Sequence, residues 1–227
     1  MRLYLILSVV LSVFAMSLFN TAVAQSTDYM ASLEKLNRIN SYRPEQSPRH
    51  ERSREIFSDR VLDRTNKVVG EVRDLILTRN GSIAHLDVEF DRLRLTTDRL
   101  VVNYPQLGIR PVSNGYKMSY TDDQIIELVP ELLANIETAA GEDSDSYSLK
   151  KIIGSRVRAK DGRKLGKVED VLFDSLGGRA EFLLVEMTQR SVRGELVAIP
   201  FSEARYGKKI QVKDSFADAM IAYARSR

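Results

Sequence analysis

Two aspartates recur in the same setting 96 positions apart: Asp74 ends Val72-Arg73-Asp74, and Asp170 ends Val168-Glu169-Asp170. A carboxylate placed there has two uses. It can present charge to a partner or cation, or it can accept hydrogen bonds from the backbone amides of a neighbouring turn. Recurrence favours the second use, because duplicated halves share architecture more readily than they share a site. His50 and His85 are the only histidines, and neither has a second candidate ligand at metal spacing. Glu142, Asp143 and Asp145 are acidic neighbours, but they follow no calcium-loop pattern and read as solvated linker. The chain has no cysteine, which removes thiol catalysis and thiolate metal sites. No Gly-x-Ser-x-Gly elbow and no glycine-rich phosphate loop occurs. No catalytic, cofactor-binding or metal-ligating residue is therefore assigned, and the residues predict a protein that is not an enzyme.

Two stretches are candidate partner-binding surfaces. Tyr104-Pro105-Gln106-Leu107-Gly108-Ile109-Arg110-Pro111 is an apolar, proline-containing loop, and Tyr104, Leu107, Ile109 and Arg110 are its candidate contacts. Exposed apolar patches mark docking sites; the alternative is that this loop packs under its own sheet or against the other half. The second stretch, Arg190-Ser191-Val192-Arg193-Gly194, is a basic hairpin tip whose Arg190 and Arg193 could meet an acidic protein or anionic lipid. Nucleic acid is a poor fit, because basic residues alternate with Asp and Glu nearly throughout. Even the cluster Arg49, Arg52 and Arg54 is diluted by Glu51 and Glu55.

These residues need elements to position them. Arg2, the apolar run Leu3 to Phe19 and the small-residue exit Ala22-Val23-Ala24 form a secretory signal peptide over residues 1–24. Cleavage before Gln25 would export the chain to the periplasm or beyond. The 34 Lys and Arg, less Arg2, against 31 Asp and Glu would then leave a net charge of +2. Residues 25–55 read as polar linker with one short helix at Ser32 to Asn40, its apolar stripe Leu33, Leu36 and Ile39. Residues 141–148 read as a second, acidic linker. Between and after them lie two blocks, 56–140 and 149–227.

The blocks repeat one another. Arg60-Val61 followed by Val69-Gly70-Glu71-Val72 matches Arg156-Val157 followed by Leu165-Gly166-Lys167-Val168. In the second block, strands are expected at Arg156–Ala159, Lys164–Phe173, Ala180–Met187, Glu195–Pro200 and Lys209–Val212, with turns at Asp161-Gly162 and Gly177-Gly178. A helix follows from Ser215 as N-cap. The first block repeats this with turns at Thr65-Asn66 and Asn80-Gly81. Its terminal helix starts at Thr121, with Gln124 three positions on and a stripe of Ile125, Leu128, Val129 and Leu132. Gly70 and Gly166 mark a bulge or a close backbone approach in a curved strand. Short strands closing with a helix suggest a small barrel, since closure removes exposed sheet edges.

The motifs Ile153-Gly154-Ser155-Arg156-Val157, Asp161-Gly162, Leu165-Gly166-Lys167-Val168-Glu169-Asp170-Val171, Gly177-Gly178-Arg179 and Val197-Ala198-Ile199-Pro200-Phe201 resemble the PRC-barrel domain. The resemblance covers residues 149–214. Residues 56–119 look like a degenerate copy, in which Phe57-Ser58-Asp59 replaces Ile-Gly-Ser and Thr65-Asn66 replaces Asp-Gly. It implies a mainly β chain, α+β overall, built from two tandem PRC-barrel-like domains, each followed by a C-terminal helix. It also implies an adaptor or assembly role with no cofactor. The resulting expectation is an exported, non-enzymatic adaptor that binds another envelope protein. The competing one is a peripheral binder of an anionic membrane or glycan surface.

Overall fold

The computed structural model describes residues 26–90, 99–113, 115–128, 146–174, 176, 178–207 and 209–227. The predicted leader, residues 1–24, lies outside the described residues. Among those described, no helix is long and apolar enough to cross a membrane.

The chain opens with α1 (26–41), β1 (His50–Arg52) and α2 (Ser53–Ile56). The first unit continues with β2 (Arg60–Leu62), β3 (Val68–Thr78), β4 (Ile83–Glu89), β5 (Arg99–Asn103), β6 (Arg110–Val112), β7 (Gly115–Lys117) and α3 (122–128). Then come β8 (Ser146–Ser148), α4 (Leu149–Ile152), β9 (Arg156–Ala159), β10 (Lys164–Asp174), β11 (Ala180–Met187), β12 (Leu196–Pro200), β13 (Ile210–Val212) and α5 (Asp214–Arg225).

The two sheets share one topology. Strand order is β5-β4-β3-β2-β7-β6 in the first and β12-β11-β10-β9-β13 in the second. In each, the opening strand pairs in parallel with a strand just ahead of the terminal helix: Val61 stands opposite Tyr116, and Val157 opposite Ile210. The irregularities repeat as well. The ladder slips between Val72 and Asp74 and again between Val168 and Asp170, so each recurrent aspartate follows a β-bulge. A bulge bends the strand and re-aims the next side chain. The expected close approach occurs at both glycines. A Cβ on Gly70 would lie 2.4 Å from the Glu89 carbonyl oxygen, and one on Gly166 would lie 2.2 Å from that of Glu186.

Closure is not by hydrogen bonds. Among the described residues the end strands β12 and β13 do not pair, so the expected barrel is an open, curled sheet. Helix α5 touches both β12 and β9 and fills the gap with Phe216, Ala217, Met220 and Tyr223, all buried. Ser215 is not its N-cap; that position is Lys213, and the Ser215 hydroxyl donates to Asp28 of α1 at 2.7 Å. The predicted capping box of α3 is present, with the Thr121 amide donating to Gln124 Oε1 at 3.0 Å and the Gln124 amide to Thr121 Oγ1 at 3.4 Å. Ile125 is buried and Leu128 packs on the core, whereas Val129 and Leu132 fall outside the described residues.

The expected linkers are structural. Helix α1 is longer than Ser32 to Asn40 and packs on the second unit: Ile39 lies with Leu172, Leu184 and Ala198 on the outer face of that sheet, and Leu36 is buried in the main core. Each such side chain contributes about 1.5–3 kcal/mol by leaving water. The Asn40 side chain then caps the free edge of β12. Its Nδ2 donates to the Ala198 carbonyl at 2.9 Å, and the Ala198 amide donates to its Oδ1 at 2.8 Å. Residues 146–148, read as part of the acidic linker, form β8; residues 141–145 lie outside the described residues.

These two short strands cross over. β1, ahead of the first unit, pairs with β10 of the second, and β8, ahead of the second unit, pairs with β3 of the first. His50 faces Asp174 and Ser146 faces Thr78, the same pair displaced by 96 positions on both sides. The units are thus related by an approximate two-fold, each completing the other's sheet. The turns of the two central hairpins meet at its centre, where the Ala180 amide donates to the Gly81 carbonyl at 2.9 Å.

Candidate functional site

The recurrent aspartates lock this exchange. The Asp170 carboxylate is 4% exposed and accepts from Arg52 Nε at 2.6 Å, from the Ser53 hydroxyl and from the Val171 amide at 2.9 Å. Asp74, 6% exposed, accepts from the Ser148 hydroxyl at 2.5 Å, the Lys150 amide at 3.1 Å and the Leu75 amide at 2.9 Å. The structural use expected of them is present, but the partners differ. Each carboxylate reaches the segment entering the other unit instead of a neighbouring turn. At Asp74 the acceptor sits on the first turn of α4, where amides lack helical partners. The bulge ahead of each aspartate makes this reach possible.

Two groups of side chains lie along the seam, one on each side of the approximate two-fold, and the second lines a pocket. In the first, the charges of Glu51 of β1, Asp59 and Asp174 of β10 all reach Tyr116, which lies beside Tyr104. Tyr104 and Tyr116 meet edge-on with ring centroids 6.2 Å apart. Burial, with the charges of Asp59, Glu55 and Asp174 adding to it, pushes the Glu51 carboxyl up to about 7. Burial and the charge of Glu55 push Asp59 up to about 6. The Tyr104 phenol is raised to about 12 by burial and by Asp174, and burial holds Tyr116 well above its ordinary value.

The second group's pocket, of about 140 Å³, is lined by Tyr147, Lys151, Ser155, Tyr206 and Ile210 among others. Tyr147 and Ser155 occupy the places of Glu51 and Asp59, and Ile210 that of Tyr116. Tyr206 lies 4.5 Å from Phe201 and 5.0 Å from Tyr147 between ring centroids. Its hydroxyl donates to the Phe201 carbonyl at 2.7 Å, and burial raises the phenol far above its ordinary value. A broader opening of about 950 Å³ lies between the start of α1 and the start of α5. Its acids serve the fold: Asp28 accepts from Ser215, Asp214 from the Asp161 amide, and Glu203 pairs with Lys35.

The predicted contact residues separate. Leu107 and Ile109 are core residues, 1% and 6% exposed, so the 104–111 loop turns its apolar side inward. Its backbone is folded on itself, with the Ile109 amide donating to the Tyr104 carbonyl at 3.1 Å. Tyr104 is half-buried against Tyr116. Arg110 is exposed at the start of β6, and Pro111 lies against Gly178 of the other unit. Arg190 and Arg193 are exposed on a short 3-10 turn that buries Val192, and no ion pair holds either among the described residues. His50, read as a linker residue, is held in β1 between the Tyr42 ring and the edge of Phe182, its Nε2 3.0 Å from Glu181 Oε2. Among the described residues, no three His, Asp or Glu side chains form a group able to hold a metal ion.

Sequence reasoning missed this acidic group. Glu51 and Glu55 were read as diluting an arginine cluster, with Asp59 four positions further on left unread, yet Arg52 is committed to Asp170. Their spacing was the one available signal.

Residues 144–222 match the model of the PRC-barrel domain family. A search of the curated proteins finds no match to the chain.

Proposed function

We propose that the chain is a non-enzymatic adaptor of the cell envelope that docks a partner protein after export, a reading supported by the match of residues 144–222 to the PRC-barrel family, which suggests a protein-interaction module. One observation carries this reading. The recurrent aspartates, Asp74 and Asp170, are consumed in holding the chain's own halves together. Uncommitted charge is left on the surface instead, at Arg190 and Arg193 and at Arg110 beside the seam. Such an arrangement suits recognition of an acidic protein face, in which exposed charge steers encounter and sets specificity.

Site-specific photocrosslinking in living cells from positions 190 and 110, followed by mass spectrometry, tests the proposal. A reproducible protein adduct that survives EDTA and falls about tenfold in the Arg190→Ala/Arg193→Ala variant is expected, a loss equivalent to about 1.4 kcal/mol. Absence of any reproducible adduct would count against it.

The same exposed tip supports a second reading, attachment to anionic lipid or glycan. Screening reaches about 8–10 Å at 0.1–0.15 M salt, so binding of that kind weakens steeply as salt rises. Salt-insensitive association removes it. Export itself predicts a mature chain whose mass begins at Gln25.

A further inference from the structure

We propose that the opening between α1, the β3–β4 turn and the start of α5 is a binding site for an acidic peptide segment, whose carboxylates meet Arg79, Lys160, Arg205 and Lys213. This goes beyond the adaptor reading, which places the contact at Arg190, Arg193 and Arg110, and it does not rest on it.

The four cations come from separate stretches of chain and line one cavity of about 950 Å³. Arg79 lies in the β3–β4 turn of the first unit, Lys160 in the turn between β9 and β10, Arg205 ahead of β13 and Lys213 at the N-cap of α5. Ligand sites occupy about 300–1,000 Å³, so this space is large enough for a bound segment. All four side chains belong to exposed residues, and none enters an ion pair or a side-chain hydrogen bond among the described residues.

The acids of the cavity are in the opposite condition. Asp28 accepts from the Ser215 hydroxyl at 2.7 Å, and Asp214 from the Asp161 amide at 2.9 Å. Glu203 pairs with Lys35 and Asp218 with Arg163, each at 2.6 Å. Every carboxylate lining the cavity already holds a donor, while the two guanidinium forks and two ammonium groups hold no acceptor. An occupant that completes the site brings negatively charged acceptors.

The arrangement favours a peptide over a compact anion. Cations drawn from four stretches suit carboxylates strung along a chain, and alternate side chains of an extended peptide lie about 6.6 Å apart on one face. Arg79 and Arg205 can each take a carboxylate in a bidentate fork. Asp28 and Asp214, neither paired with a cation among the described residues, oppose a small anion of dense charge. Tyr29, Ala204 and Val212 add apolar surface to the lining, which a peptide's side chains can cover.

Fluorescence anisotropy of the full chain with a labelled peptide that alternates glutamate and alanine tests the site. Its counterpart with glutamine in place of glutamate is expected to bind at least tenfold more weakly. Lys160→Ala/Lys213→Ala is expected to lower the affinity for the acidic peptide at least tenfold, and Arg190→Ala/Arg193→Ala to change it less than twofold. Should the first variant melt early, Arg79→Ala, on an exposed turn, is expected to lower it about threefold or more. Affinity should also fall as salt rises, because exposed charges are screened. Failure of the acidic peptide to bind, equal affinity for the glutamine peptide, or unchanged affinity in a folded cavity variant would overturn the proposal. So would an equal loss in Arg190→Ala/Arg193→Ala, or preference for inorganic tripolyphosphate or phosphatidylglycerol vesicles over the peptide.

Discussion

The two sides of the seam occupy equivalent places in equivalent units, and they have opposite chemistry. One gathers Glu51, Asp59 and Asp174; the other stacks Tyr147, Tyr206 and Phe201. Close by, Asp74 and Asp170 keep the same residue and the same use on both sides. The carboxylates that hold the exchange together are therefore repeated, whereas their donors and the residues that line the seam have diverged. Divergence under a shared backbone is where a distinct role can arise; repetition points to architecture.

The strongest way to break this distinction is to remove the repeated acid. Asp170→Ala should destabilise by about 3 kcal/mol, since it strands the part-buried Arg52 guanidinium and the buried Ser53 hydroxyl. Asp74→Ala should cost less, about 2 kcal/mol, because its partners are a hydroxyl and amides, with no ion pair. Urea unfolding of both variants checks the order, and a larger loss at Asp74 would contradict it. Gly166→Ala and Gly70→Ala should each cost about 1–3 kcal/mol, because the new Cβ meets a carbonyl oxygen on the paired strand and the ladder must shift. Thermal melting reads this directly.

Smaller effects sharpen the contrast between the two sides. Glu51→Gln should raise stability by about 1 kcal/mol at pH 8 and leave it nearly unchanged at pH 4, where the native carboxyl is already protonated. Tyr147→Phe, at the equivalent position, should give no pH-dependent difference between pH 4 and 8. Arg190→Ala/Arg193→Ala should change stability by under about 0.5 kcal/mol, as surface substitutions do. Its effect belongs to partner capture alone.

Much of the second unit was legible in the residues. β9 and β11 occupy the segments their alternation and flanking turns predict, Arg156–Ala159 and Ala180–Met187. Strand signals of that kind are local. The crossing was not legible, because His50-Glu51-Arg52 and Ser146-Tyr147-Ser148 are three-residue polar stretches with no alternation to detect. Their partners lie more than a hundred residues away for β1 and about seventy for β8. Helix α1 was underestimated for a related reason. Only Leu33, Leu36 and Ile39 mark its buried stripe, while its first turn is anchored by Asp28 to Ser215. The 104–111 loop was apolar because Leu107 and Ile109 fill the core, a destination that composition cannot distinguish from an exposed patch.

One claim underlies all of this: the units are interlocked by exchanged strands and behave as one body. Urea unfolding of the full chain, followed by hydrogen exchange in both units at once, tests it most directly. The account predicts a single coincident transition for β3–β4 and β10–β11, with Asp170→Ala moving both midpoints together. Two separate transitions, with Asp170→Ala shifting only the second unit, would contradict it.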